Sequence, residues 1–268
     1  MMKKSLTLLT LTIATIWLYP FYLIVVNSLK SRQEIFTNTL GLPEIVVFQN
    51  FSQSFERMRF FHSFTNSVVI TASSVIVLVI GSSMAAYALS RNNSKVSDIV
   101  YGIFAIAMLI PFQSIMIPLM STFGRIDMLN RVGLVFMYLG LGSSMAIFLY
   151  FGALRFVPRD LDEAAMIDGC NRVQIFWRII FPILKPTTIT VIVLNSIWFW
   201  NDYLLPSLVI NRPEMHTIPL TTFFFFGEFS RQWNLALAAL IIAIIPVIIM
   251  YMILQRYIIQ GVSDGAVK

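Results

Sequence analysis

Residues 63–90 read "SFTNSVVITASSVIVLVIGSSMAAYALS" and contain no Asp, Glu, Lys or Arg. A helix needs roughly 20 apolar residues to cross about 30 Å of hydrocarbon, and this run is longer than that. It also lacks the alternation of polar and apolar residues that is expected of a transmembrane barrel strand. Because a helix satisfies its own backbone hydrogen bonds in lipid, the run predicts a membrane-spanning helix.

The composition of the whole chain supports a membrane protein. Apolar residues make up 57% of the 268 residues and charged residues only 12%, which is far from the balance of a soluble globular domain. A net charge of +6 would suggest nucleic acid in a soluble protein, but in membrane proteins basic residues record topology and contacts with anionic lipid. The single cysteine, Cys170, excludes an intramolecular disulfide and a multi-cysteine metal site. We therefore expect no nucleic acid, no redox centre and no metal.

Runs of the same kind recur along the chain, and the fifth is interrupted only by Asp202. The first has the basic start of a secretory signal, but its length and the lack of a small-residue cleavage site favour an uncleaved helix. The predicted fold is therefore all-α, a polytopic membrane protein in a single domain. Its six transmembrane helices are predicted at about residues 6–29, 63–90, 99–123, 132–154, 187–210 and 232–255.

Six spans place both termini on one side of the membrane. Eleven of the 19 Lys and Arg residues lie on that side, and an excess of basic residues marks the cytoplasmic face. On this topology, residues 155–186 form a cytoplasmic loop and residues 256–268 a cytoplasmic tail. The longest polar interruption of the chain therefore faces the cytoplasm.

Within this loop, residues 163–186 read "EAAMIDGCNRVQIFWRIIFPILKP". Gly169 can adopt the left-handed conformation that ends a helix, and Asn171 can cap a second helix, which we expect Pro182 to close. The residues alone leave two interpretations open. The loop is either an amphipathic hairpin on the inner leaflet or a helical element that docks in the groove of a partner protein.

The same stretch closely resembles the EAA loop of bacterial ABC-importer permeases. In that loop Glu-Ala-Ala is followed after three residues by Gly, and after nine more by Ile-x-Leu-Pro; here only Phe181 departs from the pattern, in place of Leu. The resemblance implies a type I ABC importer transmembrane fold whose loop contains the coupling helix that sits on a cytoplasmic ATPase. The residues implied to contact the ATPase are Glu163, Ala164, Ala165, Asp168, Gly169, Phe176, Ile179 and Pro182.

The resemblance also implies the partners and the cofactors. The chain has no Gly-x-x-x-x-Gly-Lys-Ser/Thr phosphate loop, so it is expected to bind no cofactor itself, with ATP and Mg held by a partner ATPase dimer. A second permease subunit would complete a heterodimer, and an extracellular or periplasmic solute-binding protein would deliver the cargo. The implied location is the bacterial cytoplasmic (inner) membrane.

Three further stretches resemble the second permease of the maltose type: residues 197–210, 217–226 and 254–268. They imply a sugar or oligosaccharide as the cargo. The alternative is the same machinery importing a polyamine, a phosphonate or a glycerol-phosphate. In the tail, the resemblance implies that Gly261, Gly265 and Ala266 contact the ATPase subunits, whereas composition alone favours a frayed terminus.

Polar side chains inside the predicted spans are candidates for the substrate pathway, because an ionisable residue in a membrane usually serves a pathway or a partner. An aromatic residue next to a carboxylate or an amide suits a sugar, which presents C–H faces and hydroxyl groups. The opposing interpretation is an interfacial aromatic belt with hydrogen bonds between helices. The candidates are Asn66, Gln113, Asn195, Trp198, Asn201, Asp202 and Tyr203.

Two other classes of protein are disfavoured by the sequence. A stand-alone secondary transporter or channel has no use for a docking loop, and no inverted-repeat pattern is evident in the sequence. A membrane enzyme would need a catalytic constellation, and no Ser/His/Asp or paired-carboxylate arrangement is present. We therefore predict a transport subunit that is not an enzyme.

Overall fold

The computed structural model describes residues 2–92, 94–226 and 232–266. Within those residues all regular structure is helical, as predicted from the apolar runs. A π-helix covers Phe176–Ile180 and a 3-10 helix covers Pro213–Met215. The α-helices are α1 (Met2–Ser28), α2 (Arg32–Thr37), α3 (Gln49–Arg57), α4 (Phe60–Arg91), α5 (Lys95–Ala107), α6 (Phe112–Arg125), α7 (Arg131–Leu154), α8 (Asp160–Ile167), α9 (Arg172–Ile175), α10 (Phe181–Ile183), α11 (Lys185–Asn201), α12 (Leu204–Val209), α13 (Ile218–Phe224) and α14 (Trp233–Ala266).

Four helices are long and apolar enough to cross a membrane as single segments: Leu9–Ser28 of α1, the whole of α4 and α7, and Trp233–Ile253 of α14. Two bent pairs qualify only when each pair is taken together. They are α5 with α6, bent by 108°, and Arg172–Ile183 with α11, bent by 76°. The described residues therefore contain four to six spans, depending on whether each bent pair counts as one.

The third predicted span, residues 99–123, is not a single straight helix. It is broken between α5 and α6, where Pro111 has the extended backbone angles φ −68° and ψ 138°. Proline lacks the amide hydrogen of a helix and forces the preceding residue out of the helical region, so α5 ends before it. A hydropathy window averages over this break because all the residues around it are apolar.

The fifth predicted span, residues 187–210, is also interrupted. Helix α11 ends at Asn201, Asp202 is extended with ψ 128°, and α12 begins at Leu204. Only the part of the prediction up to Asn201 is one helix. The short α12 contains Pro206 and ends at Val209.

The core is built around α4 and α7, which pack along each other more extensively than any other pair of helices. Leu78 of α4 and Tyr138 of α7 are completely buried. Helix α11 joins this pair at Gly142. A Cβ atom at Gly142 would lie 3.1 Å from Leu78 Cδ2 and 3.2 Å from Asn195 Oδ1, so the glycine allows three helices to approach closely.

A buried polar cluster ties the end of α1 to α3 and α14. Asn50 Nδ2 donates to the carbonyl oxygens of Ser28 (2.8 Å) and Lys30 (2.9 Å), and Asn50 Oδ1 accepts from Asn234 Nδ2 (2.7 Å). Ser54 Oγ donates to the Leu235 carbonyl oxygen at 2.8 Å. The two bonds from Asn50 to backbone satisfy carbonyl groups at the end of α1, which lack helical partners.

Helix α14 continues beyond its apolar part as far as Ala266. The predicted tail, residues 256–268, therefore begins as a continuation of the last helix, and its backbone remains helical through Gly261 and Gly265. Residues 267 and 268 lie outside the described part of the chain.

Candidate functional site

The first half of the 155–186 loop is helix α8 and the turn that ends it. Gly169 has φ +82°, and its amide donates to the Met166 carbonyl oxygen at 3.1 Å. The Cys170 amide donates to the Ala165 carbonyl oxygen at 2.9 Å. This pair of bonds is the Schellman arrangement, which a glycine adopts without steric cost, so the predicted helix stop at Gly169 is confirmed.

The second half of the loop begins with a capping box. The Asn171 side chain accepts from the Gln174 amide at 2.9 Å, and the Gln174 side chain accepts from the Asn171 amide at 2.9 Å, so the predicted cap is confirmed. Pro182, by contrast, does not close the helix. The chain widens into the π-helix, where the Phe181 amide bonds to the Phe176 carbonyl oxygen, and the helical path continues through α10 to a bend at Leu184.

The predicted ATPase contacts separate into exposed and buried side chains. Glu163, Ala164, Asp168, Gly169 and Pro182 are exposed and Ile179 is half-buried. Ala165 and Phe176 are 4% and 3% exposed and pack inside the chain's own core. They therefore support the loop from within rather than face a partner.

One exposed residue of α8 was missed by the sequence reasoning. Ile167 is 86% exposed although it is a large apolar side chain. It lies three residues after Ala164 and four after Glu163, so the helical period places all three on one side of α8. We call Glu163, Ala164, Ile167 and Asp168 the exposed face of α8. The spacing of three and four residues from Ala164 and Glu163 could have identified Ile167 from the sequence.

The buried side of α8 is attached to the end of α4. Asp162 is 7% exposed; its Oδ1 accepts a hydrogen bond from the Tyr87 hydroxyl, and its Oδ2 lies 2.9 Å from Arg91 Nη2. A cleft of about 660 Å³ opens beside these residues, between α4 and the two short helices α8 and α9. Its charged lining includes Arg172 and Glu163. The contact between these residues of α4 and α8 could not be predicted from the sequence, because they are far apart in the chain.

The chain matches a known protein family. Residues 77–264 match the family described as the binding-protein-dependent transport system inner membrane component, and the matched region contains the whole of this loop. The chain belongs to this family. The expectation drawn from the EAA resemblance, that the chain is an ABC transport permease, is thereby confirmed.

Several relatives that align with nearly all of this permease are described as permeases for carbohydrates. The probable starch degradation products transport system permease AmyC of Thermoanaerobacterium thermosulfurigenes is 52% identical over 266 residues, covering 99% of this chain and 97% of that protein. The multiple sugar-binding transport system permease MsmG of Streptococcus mutans is 36% identical over 255 residues, covering 94% and 92%. The melibiose/raffinose/stachyose import permease MelC of Bacillus subtilis is 34% identical over 267 residues, covering 99% and 96%.

Solved structures confirm the fold of this permease. A chain of a bacterial ABC transporter involved in the import of the acidic polysaccharide alginate superposes with a TM-score of 0.79 at 25% identity, covering 96% of each chain. A chain of the bacterial alginate transporter in complex with a pentasaccharide-bound periplasmic protein has a TM-score of 0.68 at 16% identity, covering 94% and 93%, and shows the fold alone. As a permease subunit the chain is not an enzyme, and ATP hydrolysis belongs to a partner subunit.

The second candidate region of the permease is the break after α11. Asp202 Oδ1 accepts from the Leu204 amide at 3.0 Å, and Asp202 Oδ2 accepts from the Tyr138 hydroxyl at 3.0 Å. Tyr138 is fully buried and stacks on Phe199 at 4.3 Å. The carboxylate therefore caps α12 and holds the break against α7, in the manner of an N-cap residue.

Two aromatic candidates lie beside this break. Trp198 is 43% exposed and meets the Tyr138 ring edge-on at 6.4 Å. Tyr203 is 41% exposed and stacks on Phe223 at 4.7 Å. The structure therefore brings Trp198, Asp202 and Tyr203 to one place, as their closeness in sequence predicts.

Three of the four amide candidates donate to backbone carbonyl groups, and the fourth lies on another helix. Asn195 and Asn201 donate to carbonyl oxygens of their own helix α11, at 2.8 and 2.7 Å. Asn66 is buried and donates to the carbonyl oxygens of Glu214 and His216, both at 2.9 Å, which fixes the loop between α12 and α13. Gln113 is exposed in the first turn of α6.

His216 also lies in that loop, where its ring stacks on Phe224 at 5.1 Å. Burial lowers the pKa of the His216 imidazole below its ordinary value, against the opposing effect of the Glu214 carboxylate. The lowered pKa favours the neutral form of the imidazole, which suits an aromatic stacking contact.

Proposed function

We propose that this permease is a membrane-spanning subunit of an ATP-driven importer for a sugar or an oligosaccharide. One observation carries the proposal: a relative that is 52% identical over 99% of this chain is described as a permease for starch degradation products. The other relatives are described as permeases for sugars of different kinds, which supports the chemical class of the cargo rather than one sugar. In this proposal the chain forms half of the translocation pathway, and a second permease forms the other half.

The loop of residues 155–186 is proposed to couple the permease to the ATPase. Its exposed face on α8 combines the apolar side chain of Ile167 with the small Ala164 and the charged Glu163 and Asp168. Such a face suits a groove, in which the apolar residue is buried and the charges orient the helix at the rim. The ATPase dimer would bind ATP and Mg, and closure of that dimer would move the loop.

The orientation follows from the same proposal. An ATPase in the cytoplasm requires the loop, both termini and the end of α14 to lie on the cytoplasmic side. The tail, with Gly261, Gly265 and Ala266, would then extend from α14 toward the ATPase subunits. The opposite face would receive an extracellular or periplasmic solute-binding protein.

Transport in proteoliposomes tests the cargo. The complex of both permeases and the ATPase is reconstituted with its solute-binding protein, and ATP-dependent uptake is measured for a maltodextrin series, raffinose, a polyamine, a phosphonate and a glycerol-phosphate. We expect uptake of carbohydrate only. Uptake of one of the other solutes without carbohydrate uptake would contradict the proposed cargo, and ATP-independent uptake driven by an ion gradient through this chain alone would contradict the importer.

Two substitutions test the coupling. Gly169→Pro removes the left-handed turn after α8, and Glu163→Lys reverses a charge on its exposed face. We expect both variants to insert normally and to lose co-purification of the ATPase and ATP-driven uptake. Arg155→Gln is the control, because Arg155 is an exposed residue of the same loop that packs on Phe151 and not on α8. Unchanged uptake in both variants would refute docking through α8.

A further inference from the structure

The buried side of α8 is connected to α4 by a group of three side chains. Aspartate is almost never fully buried without a partner, yet Asp162 is 7% exposed. Its two oxygens are engaged separately, one by the Tyr87 hydroxyl and the other by the Arg91 guanidinium at 2.9 Å. We call Tyr87, Arg91 and Asp162 the α4 clasp.

Further contacts at the end of α4 reinforce the clasp on both sides. The two terminal nitrogens of Arg91 donate to the Val157 carbonyl oxygen at 3.3 Å, just before α8. Arg159 Nη2 donates in the reverse direction, to the Ser90 carbonyl oxygen of α4 at 2.9 Å. The Tyr87 ring packs against Phe176 with 5.4 Å between ring centres. The end of α4 is therefore hydrogen-bonded to the segment before α8 and to α8 itself, and it packs against the segment after α8.

The covalent connections of the loop lead elsewhere. The chain enters the loop from α7 and leaves it toward α11 through a π-helix and a 76° bend. Helix α4 ends at Arg91, 64 residues before the loop begins at residue 155, and it contacts α8 only through space. The Tyr87 hydroxyl makes a charge-assisted hydrogen bond to the buried Asp162 carboxylate, and Arg91 makes an ion pair with it. These contacts connect α8 to α4 directly through space.

We infer that the α4 clasp transmits the movement of the docked loop to α4, and through its packing on α7 to the core of the permease. Tyr87, Arg91 and Asp162 act as positioning residues that contact neither ATP nor the cargo. The inference rests on the proposed function, because a docked ATPase supplies the movement. It adds that docking and transmission are performed by opposite sides of α8.

Asp162→Asn tests the clasp, since it removes the charge and keeps the size of the side chain. Asp160→Asn is the matched control, because Asp160 lies in the same first turn of α8 but is exposed. Both variants are measured in the intact complex for ATPase co-purification, for ATP hydrolysis stimulated by the binding protein, and for cargo taken up per ATP hydrolysed. We expect Asp162→Asn to retain the ATPase while cargo per ATP falls by about fivefold or more, the size of a lost coupling of this kind. The control should match wild type in all three.

Two more variants separate transmission from a merely structural role. Tyr87→Phe removes the hydroxyl donor and keeps the ring against Phe176, so it should lower cargo per ATP while co-purification stays normal. Asp162→Glu retains the charge and should recover part of the ratio lost in Asp162→Asn. If Asp162→Asn does not insert, the Tyr87→Phe measurement decides in its place.

The outcomes are distinguishable from those of the proposed function. A wild-type ratio of cargo to ATP in Asp162→Asn or Tyr87→Phe would overturn the clasp, and so would loss of the ATPase from either complex, because the clasp would then hold the loop rather than transmit its movement. Failure of the wild-type complex to bind an ATPase or to import carbohydrate would overturn the proposed function instead.

Discussion

The hydrogen bonds at Asp202 predict how much this carboxylate contributes to the free energy of unfolding of the permease. In Asp202→Ala, the amide of Leu204 loses the acceptor that starts α12, and the Tyr138 hydroxyl loses its partner. The hydroxyl belongs to a side chain that is completely buried against α11. The substitution therefore removes a helix cap and leaves a buried polar group without a hydrogen bond.

Each loss has a typical magnitude. Removing an N-cap costs about 1 kcal/mol, and leaving a buried donor unsatisfied costs about 1–3 kcal/mol. We expect Asp202→Ala to lower the free energy of unfolding by roughly 2–4 kcal/mol in total. Asp202→Asn keeps an oxygen for the cap and a polar group opposite the hydroxyl, so it should cost only about 1 kcal/mol.

The assay uses tryptophans that are already in place. Trp198 and Trp200, two of the five tryptophans, lie within four residues of the break. Tryptophan fluorescence during SDS titration in mixed micelles therefore includes a signal from this site. The free energies of unfolding are compared among wild type, Asp202→Ala and Asp202→Asn. Equal losses in the two variants, or a loss below about 0.5 kcal/mol in Asp202→Ala, would show that Asp202 neither caps α12 nor satisfies the hydroxyl of Tyr138.

Three further predictions concern backbone positions and the cluster at the end of α1. Gly133→Ala should markedly lower the thermal midpoint of the detergent-solubilised chain, because the new Cβ would lie 1.7 Å from the Met128 carbonyl oxygen. In Gly140→Ala the new Cβ would have no neighbouring atom within 4 Å, so the free energy of unfolding should rise by about 0.5–1 kcal/mol. Gly169→Ala should cost about 1–2 kcal/mol because of its φ of +82°, and a wild-type midpoint would argue against the left-handed turn. Asn50→Ala leaves two carbonyl groups after α1 without their donor and should increase proteolysis of the loop that follows α1; equal cleavage rates would contradict it.

The features that could be predicted from the sequence are local ones. The stop at Gly169 and the cap at Asn171 each depend on a few consecutive residues, so the residue types alone were sufficient. The helical class of the chain likewise follows from the length of its apolar runs. Prediction succeeded where the physical cause lies within one continuous segment of the chain.

Hydropathy alone does not detect the breaks inside two predicted spans. Pro111 lies among apolar residues that keep the average high, and the sequence reasoning treated Asp202 as a polar residue within a continuous helix. The structure shows that Asp202 ends α11, since its carboxylate accepts from the first amides of α12 rather than facing lipid. A single carboxylate in an apolar run can lie within a continuous helix or can end one helix and cap the next. Asp202 does the second, and its other oxygen bonds to Tyr138, which is distant in sequence.

Burial within the loop was unpredictable for a different reason. Ala165 matches the family pattern as well as Glu163 does, and Phe176 lies between two of its fixed positions. A pattern of residue types does not separate residues that face a partner from those that face the core. Their burial depends on the end of α4, where Tyr87 lies against Phe176. The clasp at Asp162 depends on the same long-range packing.

The seven predicted pathway residues can now be distinguished by what their side chains are free to do. Asn66 uses both amide hydrogens on backbone carbonyls, and Asp202 uses both oxygens on α12 and Tyr138. Direct contact by these two would require breaking bonds that hold the fold. Trp198 and Tyr203 keep about two-fifths of their surface accessible beside the break, and aromatic faces are what the C–H faces of a sugar can pack on. Among Asn66, Asp202, Trp198 and Tyr203, the two aromatic side chains are therefore the ones that can contact a solute without breaking such bonds.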